Sequence, residues 1–337
     1  RGLGSGAMTL VAHAIGENDH KRAARLTAHT FVLSVVFAAA ITVAGLLTIK
    51  PLFIMLGATP GAILDMTTSY MKILYAGSII MVIHFVASDI IVSTGNMKAI
   101  SFLMVSSLVL NVVLDMGLIF GKFGMPRMGI AGAATATLIS ETVAMVIALY
   151  IVVKRAKLIG RHSLELPHIL SSWGKILEFG IPGAIGMMLT PVSAAVITKL
   201  VAGYGSAAVA AMGVATRMEM FAFMIPATVG VPLIPFIAQN FGAKRIDRIR
   251  TVRRGAMIFA VLYGVFIGSI MILFARQIAA VFSAEPSVIT VLCSYLYITS
   301  MGLGMMEVHR YAGFTLTGTQ KPVRATILNA VRIIVLL

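Results

Sequence analysis

The sequence predicts an all-α polytopic membrane protein with two pseudo-symmetric six-helix lobes, and three observations lead to this fold class. Hydrophobic residues make up 59% of the 337 residues and charged residues only 12%, with a mean hydropathy of +0.98. A soluble domain carries about twice that share of charged residues. Apolar runs long enough to cross a bilayer follow one another along the chain, and the two halves of the chain repeat each other.

Membrane-spanning helices need about 20 mostly apolar residues each. Such segments are predicted at 1–15, 26–49, 66–93, 100–120, 130–153, 176–202, 207–239, 255–275, 287–316 and 323–337. Prolines inside two of them, 176–202 and 207–239, favour kinks. IKPLFIML (49–56) is predicted to be a short segment at the membrane interface. We expect about nine to ten of the twelve spans of the complete fold.

Basic residues are distributed unevenly over the connecting loops. The less basic side holds Lys50, Lys122, Arg127 and Arg276, and the other side holds all the remaining loop Lys and Arg residues. The positive-inside rule assigns the basic side to the cytoplasm. The net charge of +15 therefore indicates membrane anchoring, and KRIDRIRTVRR (244–254) is interpreted as a cytoplasmic anchor, not a nucleic-acid patch. We expect a multi-pass protein of the plasma membrane.

An internal repeat links the two halves of the chain. AHAIGENDHKRAARLT (12–27) matches AQNFGAKRIDRIRTVR (238–253) at an offset of 226. Further along, SYMKILYAG (69–77) matches SYLYITSMG (294–302) at nearly the same offset. The matched helices lie an even number of spans apart, so both halves cross the membrane in the same direction and form parallel repeats.

The repeat predicts the domain organisation. The N-terminal lobe is expected at 1–160, a cytoplasmic linker at 161–175 and the C-terminal lobe at 176–337. From the register of the repeat we expect the chain to be truncated at both ends. One helix and most of a second are expected before Arg1, and the counterpart of 130–153 is expected after Leu337.

Several motifs resemble one transporter family in the expected order. GVATRMEMFAFMIPATVGVPLIPFIAQNFGAKRIDR (213–248) resembles the second-lobe signature of the multidrug and toxic compound extrusion (MATE) family. NVVLDMGLIFG (111–121), followed by GIAGAATATLIS (129–140), resembles its first lobe, and EFGIPGAIG (178–186) resembles the start of its seventh helix.

The resemblance implies a secondary antiporter that exports organic, often cationic, drugs or metabolites by alternating access of two lobes. Export is driven by Na⁺ or H⁺, and no cofactor beyond that coupling ion is implied. The expected partners are small organic substrates and the lipid bilayer, with no nucleic acid, and we expect a monomer.

Asn111 and Asp115 lie inside an apolar run and share a helix face, because they are four residues apart. Ionisable residues inside membrane spans usually mark an ion or substrate path. The resemblance implies a cation or proton site made of this pair, a threonine of the next helix and an aspartate of the first helix, which lies outside this chain. Thr137 is the expected threonine because it shares a face with Glu141, and Thr135 is the alternative. Hydrogen bonding between helices is the structural alternative for the pair.

A second ion site occurs in another branch of the family, at a glutamate eight residues beyond the proline of a GxP motif. Counted from Pro182, that position is Thr190 here. The departure argues against an ion site at that place in the second lobe.

Other polar and adaptable residues are candidates for a substrate or proton path. They are Glu141, Asp89, Glu307, His309, Met218 and Phe221. Each has a structural alternative. Glu307 and Arg310 are three residues apart and can neutralise each other. His309 matches His84 in the repeat, which favours a structural role, and methionines are commonly helix-packing residues.

Three other functions are alternatives to the transport of drugs. A flippase for lipid-linked oligosaccharides or peptidoglycan precursors shares the architecture, but its phosphorylated cargo calls for several arginines. The basic residues inside spans are few: Lys72, Lys199, Arg217, Arg310 and Arg332. An intramembrane enzyme is disfavoured because HExxH, GxSxG and Cys/His clusters are missing from the sequence. A channel would not need a coupling carboxylate.

Overall fold

The computed structural model describes residues 2–55, 61–160 and 164–336, and in these ranges the chain is helical. The helices are α1 (Gly2–Gly16), α2 (His20–Met55), α3 (Ala62–Ala76), α4 (Ser78–Ser93), α5 (Met97–Phe120), α6 (Ile130–Tyr150), α7 (Ile169–Ala202), α8 (Ser206–Gly242), α9 (Ile246–Leu273), α10 (Ala275–Phe282), α11 (Pro286–Gly318) and α12 (Pro322–Leu336). A π-helical turn, Ile151–Arg155, follows α6, and a 3-10 turn, Leu166–His168, precedes α7. The all-α fold class is confirmed.

Seven of the described helices are long and apolar enough to cross a membrane, and there are eight such spans if α3 and α4 count as one. The two end helices, α1 and α12, have 15 residues each. Together these elements correspond to the expected set of spans. Every backbone group in a bilayer needs a partner inside the protein, and helices meet that need within one segment.

The predicted single span 66–93 is wrong in one respect, because two helices meet there at an angle of 53°. The break lies at Gly77, where a Cβ atom would lie only 1.9 Å from Leu138 Cδ2. The hydroxyl of Thr42 in α2 donates to the Tyr75 carbonyl at 3.1 Å and lies 2.6 Å from the Ser78 hydroxyl. A side chain of a neighbouring helix thus satisfies a carbonyl at the break.

The predicted interfacial segment 49–56 is also corrected. Helix α2 continues through Ile49 and Pro51 to Met55, and Leu56 lies outside the described residues. A proline removes one backbone donor, whereas ending the helix in apolar surroundings would leave several backbone groups without partners. Continuing the helix past Pro51 therefore costs less free energy than ending it there.

The chain divides into two compact units, residues 1–180 and 181–337. The boundary lies inside α7, between Gly180 and Ile181, whereas the sequence placed the lobes at 1–160 and 176–337. In the first unit, α6 packs against α3, α4 and α5. Gly132 of α6 lies so close to α5 that a Cβ atom would be 2.4 Å from the Leu118 carbonyl oxygen. Small residues thus allow close helix approach, as in other membrane proteins.

In the second unit, α11 packs against α8, α9, α10 and α12. The contact between α9 and α11 runs along glycines, and a Cβ atom on Gly264 would lie 2.2 Å from the Gly304 Cα atom. The hydroxyl of Tyr311 in α11 donates to the Pro226 carbonyl of α8 at 2.8 Å. Pro226 lies within α8, so this contact places a hydrogen-bond donor at the proline-containing part of the helix.

Candidate functional site

Helix α5 has two distinct faces. One face exposes large apolar side chains: Phe102, Met104, Val105, Leu108, Val109, Val112, Val113, Met116 and Phe120. The buried Leu103 and Leu118 lie on the other side. The partly buried Asn111 and Asp115 lie at the border between the two sides, and their four-residue spacing puts them next to each other there.

Two atoms of this pair are buried without a hydrogen-bond partner. Asn111 Nδ2 and Asp115 Oδ1 have essentially no accessible surface and bond to nothing in the described part of the chain. More than nine in ten buried polar groups in proteins are hydrogen-bonded, and a group left alone costs about 1–3 kcal/mol. Two neighbouring polar atoms that are both buried at this free-energy cost indicate a place where a ligand binds.

The two candidate threonines lie on α6 at nearly the same depth as the pair. Gly132 of α6 approaches Leu118 of α5, and each residue away from this contact adds about 1.5 Å along its own helix. Counting along each helix places Thr135 level with Asp115, and Thr137 between Asp115 and Asn111. The hydroxyls donate to the Ala131 and Ala133 carbonyls at 2.8 and 2.9 Å. Their oxygen lone pairs stay available as acceptors, so both threonines remain candidates.

Glu141 of α6 lies within ion-pair distance of His84 of α4. His84 Nε2 lies 3.4 Å from Glu141 Oε2, and the side chains are only 8% and 18% exposed. The sequence suggested a structural role for His84 and a weak assignment of Glu141 to the ion site. The sequence did not predict the contact between His84 and Glu141, because the two residues lie on different helices and no sequence spacing relates them.

Asp89 lies on α4, where helix α1 approaches it closely. A Cβ atom on Gly4 would lie 2.0 Å from Asp89 Oδ2, so a residue larger than glycine would collide with the carboxylate. From the sequence, the glycines at 2–6 are predicted only as part of the helical segment 1–15. Their spacing does not predict that one of them packs against a carboxylate of another helix.

In the second unit, Glu307 and Arg310 of α11 form an ion pair. Glu307 is 1% exposed, and the Arg310 guanidinium also lies over the Phe223 ring of α8, 5.1 Å from its centroid. The structure thus shows the neutralising arrangement that was the alternative for Glu307. His309 Nε2 lies 3.2 Å from the Leu328 carbonyl oxygen of α12, which joins α11 to α12.

The two α8 residues assigned to a substrate path lie in different surroundings. Met218 is 6% exposed and packs in a core cluster with Ala211, Leu292 and Leu296. Phe221 is 70% exposed. The packing alternative therefore describes Met218, while Phe221 is accessible.

A polar contact that the sequence did not predict joins α11 to α8. The Tyr295 hydroxyl donates to Glu219 Oε1 at 2.6 Å. Tyrosine is one of the few side chains with both an apolar body and a donor tip, which suits this contact with a carboxylate inside a span. In the described ranges, His, Cys, Asp and Glu form no group of three or more that would suit a metal ion.

Comparisons of the chain with family models, known proteins and solved structures all point to the same family. Residues 1–116 and 182–337 match MatE. A FAD transporter of Shewanella oneidensis is 27% identical over 336 residues, 100% of this chain and 74% of that protein. The probable multidrug resistance protein YoeA of Bacillus subtilis is 28% identical over 307 residues, 88% of this chain and 65% of that protein. The crystal structure of the Vibrio cholerae MATE transporter VcmN in the bent form has a TM-score of 0.92 at 27% identity, covering 99% of this chain and 75% of that one.

Proposed function

Because the chain belongs to the MatE family of multidrug and toxic compound extrusion transporters, we propose that it is a secondary antiporter driven by Na⁺ or H⁺. It exports small organic molecules by alternating access of its two lobes. It lies in the plasma membrane with its basic loops in the cytoplasm, acts as a monomer and needs no cofactor beyond the coupling ion. The chain spans about two thirds to three quarters of the relatives described above, so these activities are proposed for the transporter that contains it.

The observation that carries the proposal is the pair of buried polar atoms on α5, Asn111 Nδ2 and Asp115 Oδ1, that have no hydrogen-bond partner in the described part of the chain. Asp115 Oδ1 can bind a proton or serve as an oxygen ligand for Na⁺. Amide nitrogen and oxygen exchange places by a flip of the side chain, so the buried Asn111 position can offer an oxygen to Na⁺ or a donor to the carboxylate. The hydroxyl oxygen of Thr137 or Thr135 adds a neutral ligand from α6.

Ion binding at this place has a direct physical consequence. A charged carboxylate without a partner in apolar surroundings is costly, and a bound proton or Na⁺ neutralises it. The two occupancy states of Asp115 therefore differ in the charge that the first lobe holds inside the membrane. A conformational change that exposes the site to one side or the other then exchanges the ion.

Two substrate classes remain, and one comparison favours a specific second candidate. The similarity to a FAD transporter over the whole chain favours a substrate with an anionic part, such as a flavin dinucleotide. An organic cation, as for the multidrug relatives, is the first candidate.

The experiment that tests the proposal uses the complete transporter in sealed vesicles. Export of a fluorescent cationic dye and of FAD is measured under an imposed Na⁺ gradient, an imposed H⁺ gradient, and no gradient. We expect gradient-dependent movement of at least one of the two. Movement without any gradient dependence would contradict antiport, and movement of lipid-linked precursors alone would favour the flippase alternative.

A further inference from the structure

A strongly basic patch surrounds the beginning of α9. It consists of Lys244, Arg245, Arg248, Arg250, Arg253 and Arg254, all of them exposed. In the part of the chain that the structure describes, its one ion pair joins Arg250 Nη1 to Asp247 Oδ1 at 4.0 Å, with the two side chains 75% and 100% exposed. Exposed pairs of this kind contribute almost nothing to charge neutralisation. The patch therefore has nearly its full positive charge.

The internal repeat supplies a comparison within the same protein. The equivalent segment before and inside α2 is neutralised by acidic residues of its own unit. Arg22 Nη1 lies 2.7 Å from Glu17 Oε2, and Arg25 Nη1 lies 2.9 Å from Glu165 Oε2. At the offset of 226, the position of Glu17 is Ala243 in the second unit.

A second substitution in the repeat increases the difference. The carboxylate of Asp19 accepts a hydrogen bond from the backbone N–H of Arg22 at 2.9 Å. At the offset of 226, Asp19 corresponds to Arg245. The second copy has thus exchanged two acids for an alanine and an arginine. The second copy therefore lacks the acids that stand at positions 17 and 19 of the first.

The patch is held in a fixed position by the core of the second unit. Ile249 and Ala256 are buried against Leu233, Ile237 and Tyr311. With 3.6 residues per turn, the arginines at 248, 250, 253 and 254 occupy the remaining sides of the helix. They form a band about 9 Å tall from 248 to 254.

This band lies directly beside the apolar part of the span. The stretch 256–273 is about 27 Å long at 1.5 Å per residue, close to the roughly 30 Å of the hydrocarbon core. When that stretch is in the bilayer, the arginines lie at the level of the lipid headgroups.

We propose that the α9 basic patch is a binding site for anionic phospholipid headgroups of the surrounding membrane leaflet. The lipid phosphates supply the negative charge that Glu17, Asp19 and Glu165 supply in the first unit. Clusters of four to eight basic residues next to a span bind anionic lipid, and each residue contributes measurably to binding. This site is separate from the transport path and does not depend on the substrate.

The test compares two double variants that each remove two positive charges from the corresponding segments of the two units. The folded chain in mild detergent is titrated with phosphatidylglycerol and with phosphatidylcholine, and bound lipid is counted by native mass spectrometry at low and high salt. We expect selective phosphatidylglycerol binding that weakens with salt and falls roughly tenfold or more in Arg248→Gln/Arg253→Gln. Arg22→Gln/Arg25→Gln is the matched control and should bind as the unchanged chain does.

Further measurements distinguish a loss of charge from a loss of folding, and binding of lipid from binding of other anions. Arg248→Lys/Arg253→Lys should retain binding, and thermal melting should show that both glutamine variants are folded. Equal losses in the two glutamine variants would overturn the proposal. So would tight binding of a single-stranded RNA without lipid selectivity, or displacement of the lipid by inorganic phosphate at equal concentration.

Discussion

His84 of α4 and Glu141 of α6 are paired inside the first unit, with His84 Nε2 3.4 Å from Glu141 Oε2. Glu141 lies four residues from Thr137, on the same side of α6. The pair thus joins the middle of α4 to the helix that carries the candidate threonines. It holds α6 in place beside the Asn111–Asp115 pair of α5, which packs on the same helix.

Removing one partner of this contact should destabilise the fold. His84→Gln or Glu141→Gln removes a polar contact from a place with little access to water, and we expect a loss of about 1–3 kcal/mol for each. The double variant should lose less than the sum of the two. A double-mutant cycle measured by thermal unfolding checks this, and strict additivity would show that the two side chains do not interact.

Asp115→Asn should abolish ion-coupled export. The amide keeps the size of the side chain but cannot take up a proton or give Na⁺ a charged ligand, so we expect at least about a tenfold loss of gradient-driven transport, or 1.4 kcal/mol in the coupled step. Asp65→Asn changes an exposed aspartate of the same unit and serves as the control. Transport by Asp115→Asn at the level of this control would refute the ion site.

Exchange of the Glu307–Arg310 ion pair for a neutral pair should separate the two substrate classes. Glu307→Gln/Arg310→Gln removes both charges together, which avoids a buried unpaired carboxylate. We expect FAD movement to fall several-fold while movement of a cationic dye is retained. Competition of FAD with the dye in the same vesicles provides the measurement, and a loss of dye movement alone would favour the cationic substrate.

Gly132→Ala should destabilise the contact between α5 and α6. The added methyl group would lie 2.4 Å from the Leu118 carbonyl oxygen, which belongs to the backbone and cannot move aside easily. We expect a loss of about 1–3 kcal/mol, as for other overpacked sites. Gly213→Ala is the matched control, because no atom lies within 4 Å of its Cβ position. That variant should gain up to about 1 kcal/mol from helix propensity.

Acidification should release the segment before α7 from α2. Glu165 accepts a hydrogen bond from Arg25 at 2.9 Å, and this bond lowers the pKa of the Glu165 carboxyl below its ordinary value. A lowered pKa means that the contact stabilises the fold above the ordinary glutamate range. The stabilisation is lost as the pH falls through the lowered value.

The single tryptophan reports this change. Trp173 Nε1 donates to the His29 carbonyl of α2 at 3.1 Å, so its emission should shift when the segment leaves α2. At neutral pH, Glu165→Gln should reproduce the emission of the unchanged chain in acid. Glu17→Gln, which breaks the pair with Arg22, should not. Identical emission from both variants would show that Glu165 does not hold the segment.

Local sequence was sufficient for much of the fold and for part of the candidate site. The apolar length of each span determined the all-α class, because a helix satisfies its own backbone groups in lipid. The four-residue spacing of Asn111 and Asp115 placed both on one face of α5. The ion-site assignment stays a prediction, since its other expected members lie on α6 and outside the chain.

Contacts between helices were decided only by the tertiary structure. The pairing of His84 with Glu141, of Tyr295 with Glu219, and the break at Gly77 depend on which side chains of another helix lie within reach. No spacing within one helix encodes that distance. The same holds for the comparison with the α9 basic patch: its charge can be read from the sequence, but only the packed structure shows that Arg22 and Arg25 of the first repeat are paired with Glu17 and Glu165. An ion pair needs an oppositely charged group a few ångströms away, and folding alone determines whether one is there.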